Sequence, residues 1–383
     1  MQDTDMLAII NAHLIMPDHL IPEGILLVED GRIKDFGEMR LMSVPEGAEV
    51  LDAGGAFLGP GLIDIHTHSG GSAWFYEEPG AAARHHLAHG TTSVLPTLYF
   101  NLTLQQLLDG VDVVRQAAGT KEGANIRGIY MEGPYLNPKY GADRENNPWK
   151  GDIDSKDYQP LIDRATDFIR VWCLAPERPG VLDFVDDVLK KDPNMIFSVA
   201  HSEASPDQIN AVENLRLATH HTNATGDLVK YPEVRGVCVD ETVNYRDDIY
   251  AELICDSRGI HVDPYMLRLV LKIKGKSRVI LVSDACVFDG PIPPGYDGVT
   301  DINFDHAGEI AGSKLTLDRA CRNMMVHTGA SLVDVFRYAS LNPADMLGWK
   351  DRGRIKRGAV ADLVLTDHWM NISKVLLAGV PQD

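Results

Sequence analysis

Apolar and polar positions follow two regimes along this chain. Near the start, LAIINAHLIM, EGILLVEDGRIKDFG and AEVLDAGG read as short strands separated by turns, with Asp30-Gly31 placed as a two-residue hairpin. The same texture returns at the far end in GRIKRGAVADLVLTD and ISKVLLAGV, so the two ends are expected to build one small β unit. Between them, strand-like apolar runs alternate with amphipathic stretches: GLIDIHTH, TSVLPTLY, IRGIYMEGP, IRVWCLAPE, MIFSVAHSE, ATHHTNA, AELICDSRGIHV and RVILVSDA. Eight such runs over roughly 290 residues predict an α/β fold, a (β/α)8 TIM barrel. The expected division is a barrel of residues 58–346 and a small β-sandwich domain formed by both chain termini, residues 1–57 and 347–383.

The polar residues that end these runs matter more than their number. His66 and His68 close the first run, and residues two apart on a strand point to the same face, so both imidazoles can reach one ion. An HxH pair alone is a weak signal. Glu132 ends the third run, His201 the fifth, His220 the sixth and Asp284 the eighth. A buried carboxylate is costly unless it is paired or bound to metal, and the C-terminal mouth of the strands is where barrel enzymes keep their sites. Imidazoles with one or two carboxylates and no cysteine pair describe an open, catalytic metal site rather than a closed structural one. His85, His86 and His89 differ, because they lie where Gly90 stops a helix and histidines favour the dipole. His221 points away from His220 by strand alternation, and Trp74, Phe75 and Tyr76 fall in a loop at the mouth.

Composition narrows the partners. A formal charge of -19 repels nucleic acid and anionic membrane surfaces, which leaves a small-molecule substrate. No apolar run reaches membrane-spanning length, and the acidic start does not resemble a signal peptide. The five cysteines, Cys173, Cys238, Cys255, Cys286 and Cys321, are far apart and form no CxxC motif, as expected of a reduced cytoplasmic protein.

The runs GPGLIDIHTHSGG, MEGPYLNP, ATHHTNA, GIHV, ILVSDA and AGSKLTLDRACRN, with the closing GRIKRGAVADLVL, resemble the N-acetylglucosamine-6-phosphate deacetylases of the amidohydrolase superfamily over nearly the whole chain. That resemblance implies a catalytic metal on Glu132, His201 and His220, and a second on His66 and His68 with Glu132 bridging. One or two divalent ions, zinc or iron, are therefore expected. Related enzymes bridge their metals with a carboxylated lysine at the end of the fourth strand, but IRVWCLAPE contains no lysine. The resemblance further implies Asp284 as the acid and base of amide hydrolysis, His261 as a catalytic residue that contacts the substrate, Asn223 and Ala224 as further substrate contacts, and a homodimer. The expected products are acetate and an amino sugar.

Two departures bear on the substrate. Tyr231 occupies the place of an arginine that binds the sugar phosphate in the family, leaving Lys230 and Arg235 as nearby cations. Lysine lacks the bidentate fork that suits phosphate. Asp143 stands where members place a histidine, and an added carboxylate disfavours a phosphate. A non-phosphorylated N-acetyl sugar or another small N-acyl compound is the second reading. A non-catalytic relative is the third, weakened because every expected ligand is present.

Overall fold

The computed structural model describes residues 6–226 and 228–382. The chain divides into two compact units, Met1–Asp64 with His86–Ser93 and Thr316–Asp383, and Ile65–His85 with Val94–Leu315.

Both ends of the chain meet in one sheet of the first unit. Its order is Val380–Gln382, Ile372–Leu377, Leu363–Thr366, Phe57–Pro60, Met6–Ile15, Leu20–Glu29 and Arg32–Glu38, and Glu49–Asp52 also pairs with Met6–Ile15. Asp30 and Gly31 join two of these strands with φ of 50° and 72°, the left-handed pair that a tight hairpin requires. Alternation decides the faces: Leu7, Ile9 and Leu14 pack with Leu58, Leu363 and Leu365, whereas Ala8, Ile25 and Leu27 form a separate apolar cluster.

The central sheet has eight parallel strands whose spatial order is their order in the chain: Leu62–Thr67, Thr91–Tyr99, Ile129–Glu132, Ile169–Leu174, Ile196–Val199, Leu215–Ala218, Tyr250–Ile254 and Val279–Val282. The mouths of the last and first strands are stitched by two bonds, Asp284 N–H to His66 O and His68 N–H to Ala285 O, both 2.9 Å. Helices between the strands follow their apolar spacing. Leu104–Ala118 starts at a Thr103–Gln106 capping box and buries Leu107, Val111 and Val114. Val181–Lys191 buries Val181, Phe184, Val185 and Val188 on one stripe. Trp172, Phe184 and Phe197 lie in the resulting core with no exposed surface.

One strand differs from its predicted place. The sixth is Leu215–Ala218, and most of ATHHTNA forms the turn beyond its mouth. Arg216, exposed between buried Leu215 and Leu217, interrupts the apolar run that would otherwise mark this strand.

Candidate active site

Six of the predicted residues converge at the C-terminal mouth of the parallel sheet. Glu132 is the last residue of its strand, and His66 is the fifth of the six in its own. His201, His220 and Asp284 each sit two residues past a strand end, with φ of 42°, 29° and 46°. This left-handed turn is sparsely populated by residues other than glycine, and it occurs at three of these six converging residues.

The donor atoms form two groups that share Glu132. Its Oε1 lies 3.0 Å from His201 Nε2 and 3.1 Å from His220 Nε2, and the two imidazole nitrogens are 3.0 Å apart. Such separations fit the edges of a coordination shell with bonds of about 2.0–2.2 Å, so the donor set suits a divalent ion. The second group is His66, His68 and Glu132, with His68 Nε2 at 3.1 Å from Glu132 Oε2 and His66 Nε2 at 3.9 Å from Oε1. Asp284 Oδ1 stands beside both, 3.4 Å from His66 Nε2 and 3.2 Å from His68 Nε2. His68, Asp284 and Cys286 bring a third set of donors together.

Burial and charge shape these groups. Burial opposes protonation of His66, but the carboxylates of Asp284, Glu252 and Glu132 outweigh it and push its pKa up to about 10. Burial likewise works against ionised Glu132, yet hydrogen bonds from His201, His220 and His68 hold it well below the usual carboxylate range. Asp284 is also lowered, its burial outweighed by His66 and His68. The cluster is anionic on its carboxylates before any ion arrives, which is what a cation site needs.

Glu252, which no sequence motif singles out, organises this cluster from behind. It is fully buried inside a strand, where Oε2 accepts from His66 Nδ1 at 2.9 Å and from the His220 amide at 3.0 Å. Tyr130 donates its hydroxyl to Oε1 at 2.8 Å and stacks its ring on His66, with centroids 4.6 Å apart. A carboxylate on Nδ1 directs Nε2 of His66 towards the site. Its one signal in the sequence is a lone acid within the apolar run AELIC.

A cavity of about 210 Å³ opens on the cluster. His261 lines it, with Nδ1 bonded to Asp256 Oδ2 at 2.9 Å and Nε2 at 3.1 Å from Gly312 O. Burial raises the pKa of Asp256, but bonds from the His261 ring and amide bring it down to about 2. Asn223 and Ala224 line the same cavity, and Asn223 Nδ2 donates to His261 O at 2.7 Å. Aromatic walls come from Tyr99, Phe100 and Phe288.

Other predicted residues lie elsewhere. Lys230 and Tyr231 are on an exposed strand, Val229–Tyr231, and neither is among the described residues that line the cavity. Asp143 sits between two lining residues, Ala142 and Arg144, with its carboxylate turned to Asn101 and Asn146. Arg235 pairs with Glu241. His221 bonds Asn244, and His89 bonds Asp318. All five cysteines are buried and unpaired by disulfides. Among the described residues no helix is long and apolar enough to cross a membrane.

The amidohydrolase family pattern matches residues 57–381. The N-acetylglucosamine-6-phosphate deacetylase of Bacillus subtilis (strain 168) is 28% identical, covering 96% of this chain and 94% of its own. The N-acetylgalactosamine-6-phosphate deacetylase of Escherichia coli O157:H7 is 27% identical, covering 94% of this chain and 98% of its own. Among solved structures, the N-acetylglucosamine-6-phosphate deacetylase of Pasteurella multocida superposes with a TM-score of 0.85 at 26% identity, covering 98% of this chain and 99% of its own. A mutant of the Mycobacterium smegmatis enzyme, in complex with N-acetyl-D-glucosamine-6-phosphate, gives 0.80 at 26% identity, covering 99% of both chains.

Proposed function

The chain belongs to the amidohydrolase family, and from that premise we propose that it removes the acetyl group from an N-acetylated amino sugar 6-phosphate, releasing acetate and the free amino sugar. One observation carries the reading: Glu132 is shared by two groups of metal-binding donors, and the carboxylate of Asp284 lies against them at the end of a small cavity. Amidohydrolases use divalent metals. Here Glu132, His201 and His220 would hold one ion, and His66 and His68 a second with Glu132 shared. An ion so held supplies Lewis acidity, lowering the pKa of water from about 15.7 towards 7 and polarising the amide carbonyl.

The chain's own groups complete the reaction. Asp284, ionised and buried beside the donors, accepts the proton of the attacking water and returns it to the departing nitrogen. The His261 ring, fixed by Asp256, orients the substrate, while Asn223 and Ala224 shape the cavity wall. The cavity's size suits one sugar unit rather than a polymer.

A second reading is a non-phosphorylated N-acetyl sugar or another small N-acyl compound. Tyr231, in the place of the family's phosphate-binding arginine, is 71% exposed and lines no part of the cavity among the described residues, which favours that reading. Acetate release from metal-reconstituted protein decides between them, with N-acetylglucosamine, its 6-phosphate and N-acetylgalactosamine 6-phosphate as substrates. Preferred turnover of a 6-phosphate supports the proposal. Preference for the neutral sugar replaces it with the second reading, and no release from any of the three overturns both sugar readings.

We propose zinc or iron as the ion, since imidazole and carboxylate donors accept either. A homodimer, a cytoplasmic location and a boundary separating residues 1–57 and 347–383 from 58–346 are proposed on the sequence resemblance, on the unpaired cysteines and on the two β-rich ends.

A further inference from the structure

Arg144 is the one Lys or Arg side chain among the described residues lining the cavity. Its guanidinium meets the Glu309 carboxylate as a fork, Nη1 to Oε2 at 2.6 Å and Nη2 to Oε1 at 3.3 Å. Both partners come from anchored loops. Asn101 Nδ2 donates to the carbonyl of Asp143 at 2.9 Å and to its carboxylate at 3.2 Å, which fixes the residue before Arg144. Asp305 Oδ1 accepts the Glu309 amide at 2.9 Å, and the Asp305 amide bonds the Glu309 carbonyl at 2.9 Å.

We propose that Arg144 receives the anionic end of the substrate and that Glu309 holds its guanidinium in place until the anion displaces it. The inference rests on the sugar phosphate reading above. Other nearby cations are poorly placed for this task. Lys230 is on an exposed strand and Arg235 is engaged by Glu241, and neither lines the cavity. Arginine is the side chain whose planar fork matches a phosphate. The Arg144–Glu309 pair is partly exposed, at 41% and 51%, and exposed ion pairs are weak. A phosphate monoester carries close to two charges against the one of Glu309, so exchange favours the substrate. With no anion bound, Glu309 neutralises the Arg144 guanidinium.

The test compares R144Q and E309Q with the unaltered, metal-reconstituted protein. The first readout is the ratio of kcat/KM on N-acetylglucosamine 6-phosphate to that on N-acetylglucosamine. R144Q is expected to lower this ratio about tenfold or more, through KM, as loss of a charged hydrogen-bond pair predicts. E309Q is expected to raise it. A fold defect lowers both numbers together and leaves the ratio alone, so an unchanged ratio in R144Q overturns the assignment. The second readout is calorimetric binding of glucosamine 6-phosphate, which needs no turnover. Equal affinity in R144Q and the unaltered protein refutes the role of Arg144. A protein that hydrolyses neither of these sugars nor N-acetylgalactosamine 6-phosphate refutes the proposed function instead, and the binding comparison still decides whether Arg144 takes the phosphate.

Discussion

The amide of Asp284 donates to the carbonyl of His66 at 2.9 Å, and the same two residues meet again through their side chains, with Oδ1 3.4 Å from Nε2. A backbone bond between the last and first strands thus sets the distance between the proposed proton carrier and a proposed metal ligand. The pairing is independent of the Asp284 side chain. Asp284→Asn is therefore expected to keep the fold and the metal while turnover falls by about 10²- to 10⁴-fold. Elemental analysis and acetate release measure the two separately. Near-normal hydrolysis would remove Asp284 from the proton transfer, and Glu132→Ala should lose metal as well as rate.

Glu252→Gln addresses the support behind the cluster. The amide keeps the volume but replaces one of the two accepting oxygens with an NH2, set either against the Tyr130 hydroxyl or against the His66 and His220 donors. Metal affinity measured by chelator competition is expected to drop about 10- to 100-fold. Unchanged affinity would reduce Glu252 to a packing residue.

Asp256 links His261 to pH. Its folded pKa of about 2 is depressed, so its contribution is complete well above the unfolded value and is lost as pH falls through the folded one. The shift corresponds to about 2 kcal/mol at neutral pH. Asp256→Asn should lower the free energy of unfolding by about that amount at pH 7, and the difference from the unaltered protein should shrink below about pH 5. Urea titrations across this range check it, and a gap independent of pH would exclude the ionic origin.

Trp172 has no exposed surface and donates its indole N–H to Gly133 O at 2.8 Å, next to Glu132. Trp172→Phe leaves that carbonyl without its donor and the core short of atoms, at a cost of about 1–3 kcal/mol. Thermal denaturation measures the loss. An unchanged midpoint would show that the core repacks freely around the smaller ring.

The barrel and its cluster are legible in the sequence because burial and chemistry coincide at the strand ends. Glu132 closes the apolar run IYM, and Asp284 follows VILVS within two residues of the strand. The sixth strand is displaced from its expected place because Arg216 breaks its apolar texture, while the conspicuous histidines belong to the turn. Glu252 escapes a sequence reading because its partners, His66 and Tyr130, are far away along the chain and no local motif marks it. Arg144 and Glu309 are 165 positions apart, so only the folded chain brings their charges together. Lys230 and Tyr231 stand out by position in a motif, which says nothing about the direction of an exposed strand.

The left-handed backbone of His201, His220 and Asp284 carries a consequence for how such a protein can change. Each of these residues stands in a conformation that costs on the order of 1–3 kcal/mol for a side chain with a Cβ. Glycine at any of the three relaxes the turn and deletes the functional group at once. Selection for thermostability alone would therefore erode the site, and a variant library ranked by melting temperature should be enriched in inactive molecules at these three positions.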